Sequence, residues 1–132
     1  AYEILIGLVG LGDVYKRQNQ DKKAIAKSFN TGYTYFQSWL ESISYVRNIC
    51  AHYGHLYNAK LSKTPMLYKE YSEAGIGNNR IFGVLLCIKH LLKDDRHWNL
   101  FVDNIQMLFD KYESVDIKTM GFPQNWKEFL YV

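Results

Sequence analysis

The sequence predicts a single all-α domain, a helical bundle. Apolar residues recur three and four positions apart along nearly the whole chain, and strand-like alternation persists for only a few residues at a time. The chain has 132 residues, of which 48% are hydrophobic, which suffices for one compact core but not for two domains. The chain also lacks an initiator Met, and we expect it to be the C-terminal part of a longer protein.

The first two predicted helices are short. One spans about Tyr2 to Val9 and is followed by Gly10 and Gly12, each of which weakens helix by roughly 1 kcal/mol relative to alanine. The second spans Asp21 to Phe29, with an acidic residue in the first turn, where the helix dipole favours it. Turn-forming residues then occupy Asn30 to Thr34.

The strongest predicted helix runs from Tyr35 to about Tyr57. One wide apolar stripe follows its length, as expected for a helix that packs on a core. The stripe consists of Phe36, Trp39, Leu40, Ile43, Val46, Cys50 and Tyr53.

The segment from Leu61 to Asn79 is predicted to be mostly loop. It contains Pro65, Gly75 and Gly77, which interrupt regular structure. One short helix is expected around Leu67 to Tyr71.

Two apolar helices follow, and we expect them to pair as an antiparallel hairpin. The first begins at Asn79, capped by Asn78 or Asn79, and the second spans Arg96 to Tyr112, capped by Asp94 and Asp95. Their apolar residues are Ile81, Val84, Leu85, Ile88, Leu91 and Leu92 in the first and Trp98, Phe101, Val102, Ile105, Leu108 and Phe109 in the second.

The chain closes with a turn and a last short helix. Met120 to Pro123 forms the turn, and Pro123 is expected near the first helical position, where its missing N–H is tolerated. Trp126 and Phe129 would dock this helix on the bundle.

Charge and cysteine content limit the function classes. With 16 basic and 13 acidic residues the net charge is +3, which permits RNA binding without requiring it. Cys50 and Cys87 have no partner at metal-ligand spacing, and two cysteines fit a reducing, cytoplasmic setting. The apolar stretch from Ile4 to Leu11 is too short for a membrane span, which needs roughly 20 residues. We therefore expect a soluble cytoplasmic protein.

Motifs for cofactors and metals are lacking in the sequence. There is no phosphate-binding glycine loop, nucleophile elbow or zinc motif. No cofactor and no metal are expected.

One constellation of polar residues points to chemistry. Arg47, Asn48 and His52 place a cation, an amide and an imidazole within six residues of the strongest helix. At 100° per residue, the "polar seam" Glu41, Tyr45, Asn48, His52 and His55 lies along one side of this helix. Arg47 lies at the edge between this seam and the apolar stripe.

These residue types suit phosphodiester cleavage. The guanidinium of Arg47 can bind two phosphate oxygens through a planar, permanently charged fork. Histidine titrates near neutral pH, so His52 can accept or deliver a proton, and Asn48 can hold the imidazole or bind the phosphate. The residues alone leave a structural role open, in which such side chains only cap the helix or extend past its apolar face to water.

The ordered segments Ser38–Leu40, Arg47–His52 and Leu56–Asn58 resemble the signature of Abi-like abortive-infection proteins, of the AbiD and AbiF type. A second landmark, Met120–Pro123 followed by Trp126, resembles the closing motif of that family. With Asn79–Arg80 opening an apolar helix, the resemblance extends over about residues 21–126.

The resemblance implies an all-α HEPN-like bundle and a metal-independent endoribonuclease. Arg47 and His52 occupy the two fixed positions of the HEPN motif, with Asn48 beside them. Two such motifs, paired across a homodimer, would form each composite site, and cleavage would leave a 2′,3′-cyclic phosphate. RNA would be the substrate, an antitoxin is a possible partner, and Tyr45, His55 and Asn58 are expected to contact the RNA.

Three features depart from the family pattern. His55 stands where the family usually has Arg, and residues 13–18 (Asp13–Gln18) look like an assembly scar. The family's N-terminal helices are also missing, which would leave the domain incomplete.

Two other functions fit the same residues. A non-catalytic RNA-binding or sensor module would use the motif to grip phosphates and the aromatic side chains to stack on bases. A helical protein-interaction partner would use the polar seam only as an interface.

Overall fold

The structure, a computed structural model, describes residues 19–52, 57 and 59–132. These residues form six α-helices and one 3₁₀ helix, and they contain no strand. The prediction of an all-α fold is confirmed. The helix predicted over Tyr2 to Val9 and the stretch 13–18 lie outside the described residues.

The described α-helices follow the predicted order, and the 3₁₀ helix before the last of them was not predicted. They are α1 (Asn19–Ser28), α2 (Tyr33–Ala51), α3 (Lys69–Glu73), α4 (Ile81–Leu91), α5 (Asp95–Lys111), a 3₁₀ helix (Ile117–Met120) and α6 (Trp126–Leu130). α3 is the short helix expected within the long loop. None of the helices in the described ranges has the length and apolar character that a membrane span requires.

The helix that carries the candidate site ends earlier than predicted. α2 begins at Tyr33 and its last helical residue is Ala51, with His52 as the C-cap, whereas Tyr57 lies in a turn. The apolar period alone extends the helix too far. The period does not show where packing on the core stops, and such packing supplies most of the stability of a helix in a folded protein.

The apolar stripe of α2 is buried only in its first part. Its buried members are Phe36, Trp39, Leu40 and Ile43. Val46 is half-buried and Cys50 is exposed, so the expectation that Cys50 packs in the core is wrong. α2 approaches α1 and α4 most closely, and most of its last turn remains exposed to solvent.

α4 is the central helix of the core. Every residue from Phe82 to Ile88 is buried, and the closest neighbours of α4 are α2 and α6. A helix that is apolar on all sides is stable only when other elements cover all of them. α5 instead buries one face, and the indole N–H of Trp98 in α5 donates to the Leu130 carbonyl of α6 at 2.6 Å.

The two capping predictions have different outcomes. The N-cap of α4 is Arg80 without a side-chain cap, so neither Asn78 nor Asn79 has the predicted role. The Asn78 amide instead donates to the Pro65 carbonyl at 2.9 Å and ties the preceding loop to the helix start. Asp94 does cap α5, because its side chain accepts a hydrogen bond from the backbone N–H of His97. Asp95, also predicted as a cap, is instead the first residue of the helix.

The predicted hairpin of α4 and α5 has its two helices joined by three residues, 92–94. The ring of Phe122, from the closing segment, packs against both helices. The centroid of Phe122 is 4.6 Å from that of Phe82 in α4 and 5.3 Å from that of Phe109 in α5. The closing segment thus contributes to the packing of both helices, which the sequence pattern does not show.

The last helix docks as predicted, but Pro123 does not begin it. α6 starts at Trp126, whose N–H donates to the Pro123 carbonyl at 3.1 Å, so the proline belongs to the preceding turn. Trp126 is buried and Phe129 is partly buried against the core. The expectation that these two side chains anchor the helix is confirmed.

Candidate functional site

Arg47, Asn48 and His52 lie together on the exposed end of α2. Asn48 and His52 are exposed and Arg47 is half-buried. Asn48 and His52 are four residues apart and therefore share one side of the helix. The N–H of His52 donates to the Asn48 carbonyl at 3.1 Å, which fixes the backbone between the two side chains.

The side chains of these three residues make no hydrogen bond and no ion pair within residues 19–52, 57 and 59–132. A capping role would show such a contact. A ligand can therefore bind these groups without displacing a partner from the described part of the chain.

Tyr45 joins the polar seam to a neighbouring loop. Its hydroxyl accepts a hydrogen bond from the Ser62 hydroxyl at 2.9 Å. The hydroxyl of Tyr45 is thus already engaged, and its expected contact with RNA stays a prediction. His55 and Asn58, the other two residues expected to contact RNA, lie outside the described residues.

Residues 59–66, here called the anchored loop, are attached to the bundle at several points. Leu61 is buried and its N–H donates to the Asn79 carbonyl at 2.8 Å. Met66 accepts from the indole N–H of Trp39 at 2.7 Å, and its own N–H donates to the Ser38 hydroxyl at 2.8 Å. The sequence pattern predicts a loop here but gives no sign that it is fixed along α2.

The chain segment from the middle of α2 to the start of α3 is basic. No Asp or Glu occurs between Glu41 and Glu70, whereas the same interval contains Arg47, Lys60, Lys63 and Lys69. Glu41 itself accepts a hydrogen bond from the Gln37 amide at 3.0 Å. A surface with excess positive charge favours phosphate-bearing ligands.

A second polar cluster lies between α3, α4 and α6. The sequence pattern did not predict it. It borders a cavity of about 210 Å³ lined by Glu70, Tyr71, Lys89, Glu128 and Phe129. The Tyr71 hydroxyl lies 2.7 Å from Nε2 of His90, and Lys89 donates to the Phe129 carbonyl at 2.5 Å. Each polar group of α4 in this cluster is thus tied to another helix.

Burial perturbs the titration of this second cluster. It raises the pKa of Tyr71 to about 12, with the Glu70 charge adding to the effect. It also lowers the pKa of Lys89 and that of His90, on which the neighbouring Lys89 cation acts in the same direction. These contacts cross-link the core. The signal for them in the sequence is the pair Lys89–His90 inside an otherwise apolar helix, where polar side chains need partners.

Among the residues that the structure describes, no group of three or more His, Cys, Asp or Glu side chains is arranged to hold a metal ion.

The family model described as "Abi-like protein" matches residues 6–58. The match covers less than half of the chain but includes Arg47, Asn48 and His52, and it supports the resemblance in that region. It also runs through residues 13–18, which the sequence pattern sets apart, and it ends before the Met120–Pro123 landmark. No curated protein matches the chain, and no solved structure does.

Proposed function

We propose that this protein is a metal-independent endoribonuclease of the HEPN superfamily, acting in a bacterial abortive-infection or toxin–antitoxin system. One observation carries the proposal. Arg47, Asn48 and His52 stand unpaired within the described chain at the exposed end of α2, inside the segment that matches the Abi-like model. An abortive-infection role fits that match, and the ribonuclease activity is inferred from the chemistry of the three side chains.

Arg47 binds the scissile phosphate in this mechanism. Its guanidinium carries a permanent charge and presents two parallel N–H donors to two phosphate oxygens. The half-buried position of Arg47 limits the freedom of its aliphatic stem, so less side-chain entropy is lost when the phosphate binds.

His52 moves the proton. As a base it accepts the proton of the ribose 2′-hydroxyl, and the 2′-oxygen attacks phosphorus. The bond from phosphorus to the 5′-oxygen breaks, and that oxygen takes up a proton. The products are a 2′,3′-cyclic phosphate and a 5′-hydroxyl. Asn48, one turn away, orients the imidazole or hydrogen-bonds the phosphate.

Two copies of the chain complete the site. A homodimer that brings two α2 ends together supplies one His52 as base and the other as acid, so each site is composite. RNA is the substrate and an antitoxin is a possible further partner, both in the bacterial cytoplasm. The mechanism requires no cofactor.

Cleavage of labelled single-stranded RNA in the presence of a chelator tests the proposal. We expect the intact protein to cut the RNA under these conditions. His52→Ala should lower the rate about 10²–10⁴-fold, because positioned proton transfer contributes that much. Arg47→Ala should also abolish most activity. His97→Ala and Arg96→Ala, at the start of α5, are the matched controls and should cleave normally.

Two results would contradict the assignment. One is equal cleavage by the intact protein and by the Arg47 and His52 variants. The other is an activity that requires Mg²⁺ strictly.

A non-catalytic RNA-binding or sensor module is the second candidate. Between Glu41 and Glu70 the chain contains basic but no acidic residues. This charge favours an RNA-binding module as much as it favours a nuclease. This alternative predicts salt-sensitive RNA binding without cleavage products. A purely protein-binding role predicts neither RNA binding nor RNA cleavage.

A further inference from the structure

We propose that the anchored loop, residues 59–66, forms one side of a binding track for single-stranded RNA, in which Lys60 and Lys63 contact phosphates next to the scissile one. The inference rests on the proposed function, since it extends the binding surface of the same site. It assigns substrate contacts to residues that lie outside the Arg47–His52 motif.

The loop runs antiparallel to α2. Ser62 is bound to Tyr45, and Met66, four residues later, is bound to Ser38 and Trp39, which lie earlier in the helix. Increasing residue numbers in the loop therefore correspond to decreasing numbers in α2. The end of the loop that contains Lys60 points toward Asn48 and His52.

The two lysines flank the point of attachment. Tyr45, which holds Ser62, precedes Asn48 by three residues, or about 4.5 Å along the helix axis. Lys60 and Lys63 are both exposed, and in an extended chain three residues span about 10 Å at most. Asn48 and His52 lie on the same side of α2 as Tyr45. A phosphate bound over these two residues would thus have two further cations beside it, in the order Lys60, then Lys63.

These cations are available. Lys60 and Lys63 make no ion pair with any residue in the described ranges. Lys69, in contrast, lies 3.6 Å from Glu73 and is partly neutralised. Leu61 and Pro65 are buried, so the backbone that presents the two lysines is fixed rather than ordered only on binding. A fixed backbone reduces the entropy lost when a ligand binds.

The ligand class follows from the size of the track. Two lysines beside one helix end suit the phosphates of a single backbone. Double-stranded RNA is recognised across about 16 base pairs and two successive minor grooves, which is longer than this surface. Single-stranded RNA binding through phosphates is also sequence-tolerant and strongly salt-dependent.

Fluorescence anisotropy with a labelled single-stranded RNA of mixed sequence tests the inference. The measurement uses the intact protein carrying His52→Ala, so that the RNA is not cut. Addition of Lys60→Glu and Lys63→Glu should weaken binding at least tenfold. It should also reduce the slope of log affinity against log salt by about 1.4, or 0.7 for each lost phosphate contact.

Lys27→Glu with Lys127→Glu is the matched control. It changes the net charge equally, at two exposed lysines on α1 and α6. We expect the control to weaken binding much less. Thermal unfolding should show all variants folded, because exposed substitutions usually change stability by less than 0.5 kcal/mol or so.

The outcomes separate the two proposals. Equal weakening by both charge reversals, or unchanged binding by the Lys60/Lys63 variant, overturns the track. Loss of RNA binding by the Lys60/Lys63 variant supports the track, whether or not the intact protein cleaves RNA. Absence of cleavage by the intact protein overturns only the nuclease mechanism. If His52→Ala abolishes cleavage but the lysine substitutions do not change RNA binding, the nuclease proposal is supported and the track is overturned.

Discussion

At the scale of single residues, the buried tryptophans show how polar atoms determine packing in this protein. Trp39 and Trp98 are almost fully buried, and each donates its indole N–H to a carbonyl of a distant segment, Met66 and Leu130 respectively. A buried indole needs such a partner, since an unsatisfied polar group costs about 1–3 kcal/mol. The apolar pattern predicts that both rings are buried, but the partners are 27 and 32 residues away in sequence.

His90 gives a prediction about stability and pH. Its ring lies against Trp39 and contacts the Tyr71 hydroxyl, and burial together with the Lys89 cation lowers its pKa below the ordinary value. At a pH between the pKa of His90 in the folded protein and its pKa in the unfolded chain, the unfolded chain binds more protons than the folded protein. The free energy of unfolding therefore falls as the pH falls through about 6.5, the ordinary value for histidine.

Thermal unfolding at about pH 7.5 and about pH 5.5 checks this. The unmodified protein should lose more stability on acidification than His90→Gln, which keeps a hydrogen-bonding side chain but does not titrate. The other histidines are common to both proteins and cancel in the comparison. An identical pH dependence in the two would contradict the prediction.

At the scale of elements, α4 and α5 show what hydrophobic spacing can predict. The residues Phe82 to Ile88 form an unbroken buried run in α4, whereas α5 buries Trp98, Val102 and Ile105 and exposes Leu100, Met107 and Leu108. Leu108 was expected on the buried side of α5, and this expectation is wrong. Spacing identifies an apolar face but not its width, because the width depends on which elements cover the helix.

The turn before α6 provides a test of backbone geometry. Gly121 has φ of +82°, and a Cβ at this position would lie 2.8 Å from Cβ of Arg80. Gly75 has a similar φ of +84° but no atom within 4 Å of the corresponding point. Gly75→Ala should therefore lower the free energy of unfolding by about 1 kcal/mol, from backbone strain alone.

Gly121→Ala should cost about 1–3 kcal/mol more, because the new methyl group also displaces α4 or the turn. Urea unfolding of the two variants measures the difference. Equal losses would show that the close approach of Gly121 to Arg80 is relieved without strain.

At the scale of the whole molecule, the proposed composite site predicts dominant inhibition between copies. If each site needs one His52 from each of two chains, then a dimer of one intact and one His52→Ala chain has no complete site. A roughly tenfold excess of the His52→Ala protein, mixed so that subunits exchange, should suppress most of the activity per intact chain.

The RNA must be in large excess in this experiment, so that competition for substrate is not the cause. Activity per intact chain that does not change with added variant would rule out the composite site and favour a complete site in each chain.

The sequence by itself determined the all-α class, the order of the helices, the cap at Asp94 and the grouping of Arg47, Asn48 and His52 on one helix. These features depend on interactions between residues a few positions apart, which spacing along a helix records directly. Only the tertiary structure decided that Phe122 packs on both α4 and α5, that His90 meets Tyr71, and that Ser62 binds Tyr45. Those contacts join residues distant in sequence. Their geometry depends on how the helices pack, and no local pattern contains that information.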